Sequence, residues 1–102
     1  MGTSLFALTF RIIGPRHVER HASLVDAVNK EAIGKPWGEP RSFFLLVSEK
    51  DAGELLKSII KNSKVDENDL VCVFNLSKSI GFDHAGHGVK DLDLFNDLMK
   101  KR

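Results

Sequence analysis

The chain has 102 residues, enough for one domain and too few for two. Apolar residues make up 42% and charged residues 28%, both ordinary for a globular chain, and a net charge of +1 excludes an overall basic footprint for nucleic acid. No run approaches the roughly 20 apolar residues of a membrane span, no signal-peptide pattern is visible, and the single Cys72 allows no intrachain disulfide, so the cytoplasm is the expected compartment.

Leu5 to Ile13 reads as a strand, rich in branched and aromatic residues and stopped by the turn pair Gly14-Pro15. Pro15 suits the first turn of a helix, and Val18, Leu24, Val25, Val28 and Ala32 recur at helical spacing from Arg16 to Ala32, with Gly34 as the stop. Residues 35–40 contain Pro36, Trp37 and Pro40, which permit only a turn or a short edge strand because proline cannot donate to a ladder. Ser42 to Ser48 is a second strong strand. Asp51 and Glu54 form an acidic variant of the capping box and open a helix to about Asn62, with Ala52, Leu55, Leu56, Ile59 and Ile60 as its buried stripe. Asp69 to Leu76 is a third strong strand. Ser77 to Val89 reads as a loop containing glycine and histidine, and Leu92, Leu94, Phe95, Leu98 and Met99 as a short terminal helix.

This order is strand, helix, weak strand, strand, helix, strand. It predicts an α+β class and a ferredoxin-like βαββαβ sandwich, with an antiparallel sheet and two helices on one face. The expected division is a ferredoxin-like domain over 1–80 and a C-terminal loop and short helix over 81–102, packing on a dimer partner from Gly81 onward. The strong strands are apolar at consecutive positions, whereas a sheet with one solvated face should alternate. Two helices cover one face only. A second apolar face, assigned here to Leu5, Ala7, Phe44, Leu46, Val71 and Val73, therefore predicts a homodimer interface. The competing reading is that the C-terminal segment folds over that face.

The run Leu5-Phe6-Ala7-Leu8-Thr9-Phe10-Arg11-Ile12 resembles the opening strand of ferredoxin-like proteins related to the second CRISPR-associated adaptation protein, including SinR-like and virulence-associated protein D-like relatives. The tryptophan-bearing turn, the serine-led strand Ser42 to Ser48, the helix start Asp51 to Leu56 and the acid-led strand Asp69 to Leu76 extend the likeness over roughly residues 5–80. The resemblance implies a dimer joined through its sheet. It also implies one of two activities, a metal-dependent nuclease or a structural platform that holds duplex DNA, with RNA cleavage in the toxin-like relatives. In the nuclease-type members an aspartate ends the first strand, and its counterpart here is Arg11. A guanidinium stays protonated and cannot ligate a metal, so no metal and no cofactor are expected.

The leading expectation is thus a non-catalytic, homodimeric, CRISPR-adaptation-like binding module whose partner is nucleic acid or another protein, with Arg11, Arg16, Arg20 and Arg41 carrying any phosphate contacts. Arg16, His17, Arg20 and His21 lie at spacings of three and four, which suit either an anion site or a solvated helix face. Asp83, His84 and His87 form a D-H-x-x-H cluster, and His84 and His87 are the catalytic candidates of an alternative, metal-independent ribonuclease. Trp37 either stacks on a base or plugs a sheet edge. A third reading is a regulatory accessory factor acting through protein contact.

Overall fold

The computed structural model describes residues 2–77 and 83–101. The chain runs through β1 (Ser4–Arg11), α1 (His17–Glu31), β2 (Phe43–Ser48), α2 (Ala52–Lys61), β3 (Leu70–Asn75), β4 (His84–His87) and α3 (Leu92–Met99). The architecture is α+β. Four strands form one sheet in the order β2-β1-β3-β4, antiparallel throughout.

Local chemistry sets most of the boundaries. Asp51 accepts from the Glu54 N–H while Glu54 reaches back to the Asp51 N–H, which completes the expected capping box at the start of α2. Asp91 caps α3 through the Leu94 N–H. The start of α1 is different. Pro15 lies outside the helix, and the N-cap is Arg16, held at φ 60° and ψ 28° with no side-chain cap. A non-glycine residue seldom takes this left-handed conformation.

The core lies between the sheet and the pair α1 and α2. Phe6, Leu8 and Phe10 of β1 meet Leu24, Ala27 and Val28 of α1 and Ala52, Leu55, Leu56 and Ile59 of α2. Cross-strand partners share a face, and the registers Phe6↔Leu46, Leu8↔Phe44, Leu8↔Val73 and Phe10↔Val71 put Phe44, Leu46, Val71 and Val73 on this helix-covered side. Leu46, Val71 and Val73 are buried there, and Phe44 packs against the cluster. The assignment of these four residues to a second, open face is therefore corrected. Leu5 and Ala7 do belong to that face, where Ala7↔Leu45, Leu5↔Val47, Ala7↔Phe74 and Thr9↔Cys72 make up the rest. A one-residue slip moves every side chain of a strand to the opposite face, and runs apolar at every position carry no alternation to prevent it.

Two further expectations are corrected. Residues 77–89 contain β4, which pairs with β3 from Val71↔His87 to Phe74↔His84. The weak strand shrinks to one bridge, Trp37↔Leu45, with both hydrogen bonds at 2.8 Å. Pro36 and Pro40 flank it and lack the N–H a longer ladder needs. The helix α3 lies over the β3–β4 half of the second face of its own chain: Phe95 packs on Phe74 and His84 at ring separations of 5.9 and 5.3 Å. The 80–81 boundary and Gly81 lie outside the described residues.

A Leu8→Ala variant empties volume at the centre of this core and should cost about 2–5 kcal/mol in denaturant unfolding. Gly88, at φ +73°, packs so closely on the chain that a Cβ would be driven into the Asp69 carbonyl oxygen. Gly88→Ala should cost about 1–3 kcal/mol in the same measurement, whereas Gly2→Ala, in open space, should change nothing.

Candidate functional site

Antiparallel pairing gathers the C-terminal ends of β1 and β4 and the N-terminal ends of β2 and β3 at one edge of the molecule. The start of α1 joins them because the turn after β1 is only residues 12–16. An ion pair fixes this turn. Arg20 and Asp69 are both buried, and Arg20 Nη2 donates to Asp69 Oδ2. Arg20 Nη1 donates to the Ile13 and Pro15 carbonyls at 3.0 and 2.9 Å, and Nη2 also lies 3.3 Å from Asp66 Oδ2. Asp69 in turn accepts from the N–H groups of Ile13 (3.3 Å) and Asp66 (3.0 Å). The pair therefore ties the β1–α1 turn to the loop before β3.

Burial pushes the Asp69 carboxyl up, but the Arg20 hydrogen bond and the two N–H donors outweigh it and hold the pKa below the ordinary carboxylate value. The Asp69 hydrogen bond raises the Arg20 pKa against its own desolvation. Arg20 was expected on phosphate. Its terminal nitrogens are instead occupied inside the molecule, and that assignment is corrected. The signal was present in the sequence: Arg20, Leu24, Ala27 and Val28 occupy i, i+4, i+7 and i+8, the buried stripe of α1.

Beside this pair lies an open cleft of about 600 Å³ lined by Phe10, Arg11, Ile12, His17, Val18, His21, Gly38, Arg41 and Ser42. Two arginines and two histidines, from β1, α1 and the segment before β2, line it, and no carboxylate does among the described residues. The first turn of α1 borders it through His17 and Val18, where helical N–H groups have no intrahelical partner. The Nε2 atom of His21 is sealed from solvent and has no hydrogen-bond partner among the described residues. Its ring packs against Phe10 at 5.3 Å.

The fold brings Arg11 and Arg41 together from positions 30 residues apart and joins to them His17 and His21, which the sequence had grouped with Arg16 and Arg20. Arg16 is left out of the lining; its side chain is 78% exposed, 4.0 Å from Glu19. Arg11 also lines two neighbouring clefts, one with Asp66, Glu67 and Lys90, the other with Lys90, Asp91, Leu94 and Leu98.

The remaining candidates have structural partners. His84 and His87 fall on opposite faces of β4 by strand alternation. His84 lies edge-on to Phe95 with Nε2 3.5 Å from Asn96 Oδ1, and His87 Nε2 is 2.8 Å from the Asp66 carbonyl. Asp83 accepts from the Ala52 N–H at 3.0 Å and from Asn75 Nδ2 at 2.6 Å, joining α2 to β3. The D-H-x-x-H residues thus do not converge, and no group of three or more His, Cys, Asp or Glu side chains placed to hold a metal ion occurs among the described residues. Trp37 donates from Nε1 to Glu39 and stands edge-on to Phe43 at 6.3 Å, at the sheet edge. Cys72 is buried, and burial pushes its thiol pKa up, which keeps it protonated. No helix among the described residues is long and apolar enough to cross a membrane.

No protein-family model, curated protein or solved structure matches the chain.

Folding lowers the Asp69 pKa, so just below the ordinary value the folded state binds fewer protons than the unfolded state. Its contribution to stability is complete above about pH 4 and is lost as pH falls through the lower, folded pKa. Asp69→Asn should lower stability at neutral pH, by leaving Arg20 buried without its counter-charge, and should flatten the fall in stability below about pH 4. Denaturant unfolding at pH 7, 5, 4 and 3 checks both effects.

Proposed function

We propose that this chain is a non-catalytic, homodimeric nucleic-acid-binding module of the CRISPR-adaptation-like, ferredoxin-like kind. The observation that carries the reading is the cleft with Arg11, Arg41, His17 and His21 in its lining and no carboxylate among them. Guanidinium groups form bidentate, charge-assisted hydrogen bonds with phosphate oxygens. Unpaired helical N–H groups at the start of α1 add to the same preference for an anion.

The ferredoxin-like part of the reading is supported by strand order. The Trp37 bridge, β2, β1 and β3 follow one another across the sheet, with the proline-bearing segment at the edge and α1 and α2 on one face. The C-terminal β4 and α3 are additions to that pattern. Arg11, at the end of β1, supports a platform role over metal-dependent cleavage, because it offers a cation where a nuclease of this kind would present a carboxylate ligand. The ribonuclease reading gains nothing from His84 and His87, which point to opposite sides of β4 and sit against Asn96 and the Asp66 carbonyl.

The dimer is supported by what α3 leaves open. Leu5 is 38% exposed and Trp37 44%, and Phe43, Leu45 and Val47 are half-buried on the β2–β1 half of the second face. Leu94 and Leu98 of α3 are about half exposed as well. A contiguous apolar strip of this kind marks an interface, and an isologous pair covers it with a second copy of itself.

Light scattering at micromolar concentration should find twice the chain mass, and Leu5→Glu should return it to the single chain without lowering the melting temperature. A monomeric wild-type protein would reject the dimer. In a gel-shift titration, nucleic acid should bind at low salt and be released steeply as salt rises, and Arg11→Gln should weaken the binding about tenfold or more. Absence of any shift at low salt would remove the nucleic-acid reading.

A further inference from the structure

We infer that the cleft receives the terminal phosphomonoester of a single strand and does not track a duplex backbone; the inference rests on the nucleic-acid reading and specifies its ligand. Three observations point this way. The first is the extent of the positive lining. Arg11 stands where three clefts meet, and only one of them is free of carboxylates. Asp66 and Glu67 line the second and Asp91 the third, both with Lys90, so a chain of phosphates running on past Arg11 would meet linings of mixed sign in which carboxylates offset the cations. The favourable region is one cleft wide.

The second observation is shape. A concave space of about 600 Å³, with Gly38 and Ser42 on one side and the start of α1 on the other, has the dimensions of a small-molecule site. Such a space accepts a chain end, whereas a duplex offers its phosphates along a ridge.

The third is charge. A phosphomonoester carries about −1.5 to −2 charges at neutral pH and three terminal acceptor oxygens, more than the single charge of a diester. Arg11 and Arg41 supply two cations. His17, an exposed residue of the same lining, adds an imidazole beside them. The N–H groups of the first turn of α1 add donors, but the two arginines and His17 make the site.

The test measures fluorescence anisotropy of a short single strand, labelled internally, in three forms: phosphorylated at the 5′ end, phosphorylated at the 3′ end, and hydroxyl at both. One phosphorylated form should bind about tenfold or more tighter than the hydroxyl form. Inorganic phosphate should compete for that difference. Arg41→Gln, an exposed position whose variant is checked for an unchanged melting temperature, should abolish the difference, and Arg11→Gln should do the same. Arg16→Gln, outside the lining, should leave it intact. Equal affinity for all three strands, weakened equally by Arg41→Gln, overturns the terminal-phosphate inference and leaves the nucleic-acid reading standing. Preference for duplex regardless of its ends also overturns it. Binding of no strand at all removes both.

Discussion

The Arg20–Asp69 pair is the constraint on which the cleft end of the molecule depends. A buried ion pair rarely adds much net stability, because desolvation of both charges offsets their attraction. Its value here is geometric. Arg20 holds the Ile13 and Pro15 carbonyls while Asp69 holds the Ile13 N–H, so a five-residue turn is clamped from both sides to the loop that begins β3. That clamp determines where α1 starts. It accounts for a helix whose first residues border a cleft, and it accompanies the left-handed Arg16, whose backbone makes the sharp change of direction that Pro15 and a β1 strand ending at Arg11 require.

The second face of the sheet follows a different logic. The helix α3 has no fully buried residue and rests on β3 and β4 mainly through Phe95. A helix of eight residues held this lightly covers half of the face and leaves its own Leu94 and Leu98 half exposed. The C-terminal segment thus folds back on its own chain, and an apolar strip remains exposed beside it. The strip and the cleft share the segment from Trp37 to Phe43. Trp37 and Phe43 belong to the apolar side, while Gly38, Arg41 and Ser42 line the cleft, so whatever covers one side adjoins the wall of the other.

Strands and helices with strong patterns were legible in the sequence because a single local signal sufficed for each. The capping box at Asp51, the apolar runs at Leu5, Ser42 and Asp69, and the stripe of α2 all match the folded chain closely. What was not legible depended on pairing. Residues 84–87, His-Ala-Gly-His, have no strand signature and become β4 because β3 offers an open edge. The faces of β2 and β3 were unreadable because Phe43 to Val47 and Leu70 to Phe74 are apolar at every position, so only the register with β1 separates Leu45 from Leu46. Arg20 is hidden in the sequence for a related reason: its near neighbours form a charge run, while its position on the stripe with Leu24 and Val28 points inward.

Net charge is a poor guide to this molecule for the same reason. A total of +1 argues against a broad nucleic-acid footprint. What matters is how the signs are sorted at one end of the sheet. Of the basic side chains of the first 41 residues, Arg20 is paired with Asp69 and Arg16 stands exposed at 4.0 Å from Glu19, while Arg11 and Arg41 meet at a lining with no acid among its described residues. Asp66, Glu67 and Asp91 of the second half of the chain line the adjoining clefts together with Lys90. Electrostatic attraction at short range depends on the charges within about one Debye length, roughly 8–10 Å, and not on the sum over the surface. A nearly neutral chain can therefore present a locally cationic lining where its fold keeps carboxylates out of that lining, and the Arg20–Asp69 clamp contributes by burying one carboxylate against its own cation.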